Sequence, residues 1–284
     1  MDKKNFDLTI LPAKKENEEV KYKRHIDSRL FNCHNGVLML IVSPPRTGKS
    51  NLLLNLFGNS NFLKEYYDNL YLIGATIKND PTLKPLTDYY NNCYDYLDDS
   101  IIEDIIKYQF SQPEADRSNC AIIIDDAMSM PGFEKRGSAL QKLTGNYRHI
   151  TRGATGGGAV IVSTQKIKSC STSFRCNCNT IILGKISNRE ELKIIIDLWA
   201  DTFGGERCFK NMMKYCWKEK YNFMCLYIDG SIENPEPCVY KSFAEKIYPG
   251  KFKPDKDFFN IDNDTIFDNV DKPIENNTLE NKDF

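Results

Sequence analysis

A chain of 284 residues with 38 Lys and Arg against 39 Asp and Glu is long enough for one α/β core with an added subdomain. The near-neutral balance hides an asymmetry, because residues 255–284 hold nine Asp and Glu against three Lys and leave a mildly basic body, a pattern that permits nucleic-acid binding without requiring it. No run approaches the ~20 apolar residues that cross a bilayer, and ten cysteines behind a polar start with no hydrophobic leader favour reduced thiols in a cytosolic compartment over a disulfide framework.

Residues 1–29 read as a polar arm rich in Lys and Glu. Beyond it, short apolar runs at 37–42, 70–73, 121–124, 159–162, 180–183 and 223–228 alternate with longer mixed segments. Short runs without polar alternation are the mark of parallel strands buried on both faces. Between them, 49–57, 100–108, 138–147 and 189–199 space their apolar residues as helices packed on a sheet do. The alternation predicts an α/β fold over 30–250, with a mainly parallel central sheet flanked by helices. Gly153 to Gly158 follows a helix and precedes a strand, which makes it a loop and not a phosphate cradle. Cys170, Cys176 and Cys178 lack a second cysteine pair and a nearby histidine at ligand spacing, so zinc is not expected. From Asp255 onward Asn and Asp dominate and apolar residues are sparse, with Phe258 and Phe259 adjacent, and the acidic tail from 251 is expected to be disordered or to dock on a partner.

Ser43, Pro44, Pro45, Arg46, Thr47, Gly48, Lys49 and Ser50 lie where the first apolar strand ends and an amphipathic helix begins. That is the setting of a phosphate-binding loop: backbone N–H groups at a helix start face the anion, Lys49 adds a point charge, and the Ser50 hydroxyl ligates Mg²⁺. Ser43 stands where such loops usually carry glycine, and the two prolines offer no N–H, so the later amides must do the binding. Ala121 to Ile124 followed by Asp125 and Asp126 places two carboxylates at the carboxyl end of a buried strand, where ligands of such sheets bind. Asp125 suits Mg²⁺, and Asp126 suits polarisation of a water directed at the γ-phosphate.

Gln165 closes the next strand, where an amide can both donate to phosphate and position water. Arg148 and Arg175 lie beside the strands after the acidic pair, and each is a candidate guanidinium for a neighbouring subunit's γ-phosphate.

Over roughly residues 30 to 230 this order of parts resembles the FtsK/HerA branch of P-loop NTPases, RecA/ASCE-like in fold, and most closely the A32-like genome-packaging ATPases of large DNA viruses and virophages. The likeness rests on Ser43 to Ser50, the strand ending in Asp125 and Asp126, Arg148-His149 ahead of a strand closing on Gln165, and Arg175 ahead of Ile181 and Ile182. It implies an ATP- and Mg²⁺-dependent motor that threads double-stranded DNA into a preformed capsid. Asp125 and Asp126 would serve the metal and the water, Gln165 would act as sensor, and Arg148 or Arg175 would reach across a homo-oligomeric ring. It further implies capsid or portal-vertex partners, a location in the virion or the host cytoplasm, and pore loops that grip DNA phosphates, for which Lys166 and Lys168 are candidates. Asp126 stands where many related motors carry glutamate. Two other readings share the phosphate loop: a nucleotide or small-molecule kinase, against which the acidic pair and the lack of an Arg-rich lid count, and a nucleotide-switched assembly factor without motor activity.

Overall fold

The computed structural model describes residues 26–127, 137–151 and 158–252. The arm up to residue 25, residues 153–157 of the glycine-rich loop, and the acidic tail from 253, with Phe258 and Phe259, lie outside the described residues.

The apolar run Val37–Val42 forms β1, and all six of its residues are buried. Such a strand is stable only with a neighbour on each edge and a layer on each face. Its edges are taken by β5 (Ala159–Thr164) and β6 (Thr180–Leu183), both parallel to it. Beyond β5 follow β4 (Cys120–Ile124), β2 (Asn69–Ile73) and the short edge strand β3 (Asn92–Tyr94), again all parallel. Beyond β6 the direction reverses through β7 (Met224–Tyr227), β8 (Cys238–Lys241) and β9 (Glu245–Tyr248). The described residues thus form a nine-stranded sheet in the order β3-β2-β4-β5-β1-β6-β7-β8-β9.

Side chains alternate across the sheet. Leu38, Leu40 and Val42 belong to one core, packed with α3 (Asp99–Ser111), α4 (Ala139–Asn146), α5 (Thr172–Asn177), α6 (Arg189–Trp199) and α7 (Gly205–Cys216). Val37, Met39 and Ile41 belong to the other, with α1 (Lys49–Gly58), α2 (Lys84–Tyr89) and the aromatic group Phe31, Tyr66 and Tyr67. Ile26 already packs in this second core. The result is a three-layer α/β/α arrangement of the kind the alternation predicts.

The run at 223–228, read from sequence as one more parallel strand, is antiparallel to β6. The cause is α7, which sequence reading passed over. A single crossover helix returns the chain to the start of a parallel neighbour, whereas the pair α6 and α7 runs out and back. The chain is therefore delivered to the edge it left, with Leu183 opposite Met224. No helix among the described residues is long and apolar enough to cross a membrane.

Candidate active site

Register gathers the candidate residues. Val42 pairs with Thr164 and Leu183, and Ile124 with Val162, so Ser43, Asp125, Gln165 and Gly184 all emerge at the carboxyl edge of the parallel strands. The ladders run one step beyond the strands: Ser43 N–H donates to Thr164 O (3.1 Å), Gly184 N–H to Val42 O (2.9 Å), and Asp125 N–H to Ile73 O (2.8 Å). The strand tips are therefore pinned.

Ser43 to Ser50 turns sharply into α1. Arg46 (φ 61°) and Gly48 (φ 94°) adopt left-handed conformations, which aim successive amides inward as an anion nest. α3, α4, α5 and α6 each begin with a capping side chain, Asp98, Ser138, Ser171 and Asn188 respectively, whereas α1, like α2 and α7, has none. Its first-turn N–H groups and the positive end of its dipole are left to a ligand. Inside the loop the Ser43 and Thr47 hydroxyls lie 2.5 Å apart, and Thr47 Oγ1 donates to Pro44 O at 2.5 Å. The Lys49 ammonium folds back to donate to the carbonyls of Ser43 (3.0 Å) and Pro44 (3.2 Å). Burial pushes its pKa down, opposed by Asp126 and Asp125.

The serine in place of a first glycine is accommodated from across the sheet. A Cβ on Gly184 would fall 1.9 Å from Ser43 Oγ, so the absence of a side chain at 184 makes the room that Ser43 occupies.

Asp125 is only 5% exposed. Burial raises its pKa, the Ser163 hydrogen bond and Lys49 oppose the rise, and Asp126 adds to it. Ser163 ties the pair together: its hydroxyl donates to Asp125 Oδ1 and accepts Asp126 N–H at 3.2 Å. Asp126 turns out of the strand with φ 49°, and Gln165 Nε2 donates to its Oδ1 at 2.9 Å. The two acidic residues and the glutamine thus form one network on adjacent strand tips.

Two members of the site were missed in the sequence. Ser163 was read only as part of the strand closing on Gln165, although a polar pair, Ser163-Thr164, inside an otherwise apolar run is a visible signal. Asp80, in the turn after β2, accepts Thr82 N–H at 2.8 Å and has the Ser50 hydroxyl as a neighbour. Although burial acts to raise its pKa, these polar neighbours hold it below the ordinary aspartate value. Nothing in its local sequence marks it, because only the fold of the β2–α2 connection brings it to α1. The donors Ser50, Asp125, Asp126 and Asp80 are all hard oxygens. Among the described residues no three His, Cys, Asp or Glu side chains converge tightly enough to hold a cation alone. Hard oxygen donors of this kind match the chemistry of a cation such as Mg²⁺, which keeps waters and takes further ligands from phosphate.

The remaining candidates lie apart. Arg148 packs at the amino end of β1, its Cγ 3.1 Å from a Cβ built on Gly36, with Nε donating to Tyr147 Oη (3.0 Å) and a terminal nitrogen 3.7 Å from Asp229. It is a strand's length from Lys49. Arg175, on α5, donates to Thr172 Oγ1 (3.1 Å), and its buried Nε has no hydrogen-bond partner. Lys166 and Lys168 flank the turn after Gln165, where Lys168 is paired with Glu190 and buried Glu191 accepts the N–H groups of Ile167 (2.5 Å) and Lys168 (3.4 Å).

No protein-family model matches the sequence, and no curated protein does. Among solved structures the chain is similar to the DNA-packaging ATPase B204 from Sulfolobus turreted icosahedral virus, with 18% identity over 72% of this chain and 98% of that one, at a TM-score of 0.50. It is also similar to the genome packaging NTPase B204 from Sulfolobus turreted icosahedral virus 2 in complex with ATP-gammaS, with 17% identity over 74% of this chain and 98% of that one, TM-score 0.47. A looser likeness is to EssC (ATPases 2 and 3) from Geobacillus thermodenitrificans, with 15% identity over 58% of this chain and 34% of that one, TM-score 0.40. At these identities the first likeness bears on the fold alone and the other two are too loose to bear on it. The fold is that of the P-loop ATPases.

Proposed function

We propose that this protein is an ATP-hydrolysing motor that moves double-stranded DNA into a preformed capsid, working as a homo-oligomeric ring. The observation that carries the ATPase reading is the meeting of Lys49, Ser50, Asp125, Asp126 and Gln165 at one edge of the sheet, with Gln165 bonded to Asp126. The uncapped start of α1 receives phosphate oxygens, and Lys49 exchanges its two loop carbonyls for them. Ser50 and Asp125 would hold Mg²⁺, which when bound would supply positive charge against the phosphates. Asp126 accepts a proton from the attacking water as the water oxygen bonds to the γ-phosphorus and ADP departs. Gln165 holds the carboxylate in position and, as the neighbour of both, links its state to the turn carrying Lys166 and Lys168. Similarity in fold to a DNA-packaging ATPase favours double-stranded DNA as the polymer moved. Capsid or portal-vertex proteins are then the partners, and the virion or host cytoplasm the place of action.

The test is steady-state ATP hydrolysis with and without linear double-stranded DNA across a salt series. We expect salt-sensitive stimulation by DNA, no turnover in Lys49→Ala, and a kcat lowered about 100- to 10,000-fold in Asp126→Asn. Turnover indifferent to DNA at every salt concentration removes the motor while leaving the ATPase.

A further inference from the structure

The cleft has a second half, on the side of β1 away from Asp125, that phosphate chemistry leaves unused. It is a cavity of about 930 Å³ running from the phosphate loop to a wall made by residues 217–223, between α7 and β7, and by Ser242 and Phe243, between β8 and β9. This wall is strained. Among the described residues six non-glycine residues have positive φ, and five of them lie at the site: Arg46, Asp126, Tyr221 (67°), Ser242 (50°) and Phe243 (63°). For a bulky side chain that conformation is an outlier, and such strain gathers where a ligand is clamped. Local bonds hold it in place: Ser242 N–H donates to Phe223 O (3.0 Å), Ser242 Oγ to Asn222 Oδ1 (3.2 Å), and Asn222 Nδ2 to Glu219 (3.0 Å).

The held residue is an aromatic one left in the open. Tyr221 is 60% exposed, its Cδ1 lies 3.9 Å from a Cβ built on Gly48, and the Lys220 ammonium sits 4.8 Å from its ring centroid. Phe223, Phe243 and Phe62 pack edge-to-face along the wall, with centroids 5.0 and 5.7 Å apart in the two successive contacts, so packed rings brace the strained segment.

Given the nucleotide reading above, on which this rests, we propose that Tyr221 is the platform for the base of the bound triphosphate. A flat ring beside the phosphate loop, in a cavity large enough for a nucleotide, meets a planar heterocycle by stacking. The double ring of a purine covers more of it than a pyrimidine does.

The test compares ATP with inorganic tripolyphosphate, which carries the phosphates and no base, by titration calorimetry with Mg²⁺ on wild type, Tyr221→Ala, Tyr221→Trp and Tyr221→Gly. We expect Tyr221→Ala to weaken ATP about 5- to 100-fold while tripolyphosphate stays within about twofold and Tyr221→Trp keeps ATP. Tyr221→Gly, which relieves the left-handed strain, should melt no lower than wild type and yet lose ATP as the alanine variant does. Unchanged ATP affinity in Tyr221→Ala, an equal loss for tripolyphosphate, or a wild type that binds ATP no tighter than tripolyphosphate overturns the base platform and leaves the phosphate loop standing. A wild type that binds neither ligand overturns the phosphate loop, and the platform with it.

Discussion

Ser43 and Gly184 form a pair that neither residue reveals alone. A methyl group at 184 would lie 1.9 Å from Ser43 Oγ and 2.8 Å from its Cβ. The strand tip, pinned by Gly184 N–H to Val42 O, has no room to move away. Gly184→Ala should therefore weaken ATP binding at least about tenfold, by forcing the first residue of the phosphate loop aside. Adding Ser43→Gly should restore it, a coupling measured as a double-mutant cycle on ATP affinity. Asp80 invites a second measurement. As a carboxylate beside Ser50, which in the proposed site would hold Mg²⁺, it is placed to orient that hydroxyl, and Asp80→Asn should lower Mg²⁺ affinity about 10- to 100-fold. Mn²⁺ titrated in the presence of a non-hydrolysable nucleotide, read by electron paramagnetic resonance, reports this without turnover, while metal-free nucleotide binding should be unchanged. At this scale the sequence was informative where chemistry and local order coincide. Asp125 and Asp126 directly follow an apolar run, Gln165 closes another through Ser163 and Thr164, and Lys49 and Ser50 open the helix after the first, so their places could be read locally. Ser163 and Asp80 act through neighbours 38 and 30 positions away in the chain, Asp125 and Ser50, and local pattern carries no record of such pairings.

Elements whose burial is set by their own periodicity were legible for the same reason. β1, β4 and β6 are continuous apolar runs, and α6 carries a clear apolar stripe, so strand and helix could be read directly. α7 carries the same kind of stripe and was passed over: Cys208, Phe209, Met212, Met213 and Cys216 recur at helical spacing on one buried face. Missing it meant missing the reversal of β7. The helix is nonetheless integral: Met213 is fully buried, and Met213→Ala should lower stability by about 2–5 kcal/mol, read from the urea midpoint. α7 is also tied to β9, since Tyr215 Oη donates to both oxygens of Glu245 at 2.8 and 3.0 Å. That bond, with Lys251, holds Glu245 below the ordinary value of 4.5. A depressed carboxylate contributes stability above its unfolded value and loses it as pH falls through the folded one. The melting temperature of wild type should thus fall more steeply below pH 4.5 than that of Glu245→Gln.

At the scale of the whole molecule, the sheet separates two kinds of charge. The phosphate loop is at the carboxyl end of β1 and Arg148 at the amino end, six residues apart along the strand, or about 20 Å. An arginine so placed can meet a γ-phosphate only on another molecule. In the proposed ring, Lys49→Ala and Arg148→Ala should each be inactive alone and recover part of the ATPase rate when mixed, because some interfaces then pair an intact loop with an intact arginine. The absence of recovery would return the question to Arg175. The phosphate loop also bears on how such a molecule takes up nucleotide. Lys49 already satisfies its ammonium on the carbonyls of Ser43 and Pro44, so an arriving nucleotide trades acceptors instead of creating bonds. The loop's own share of the binding heat should be correspondingly small, and its share of the affinity should follow how many charges the polyphosphate brings and how strongly the surrounding electrolyte screens them.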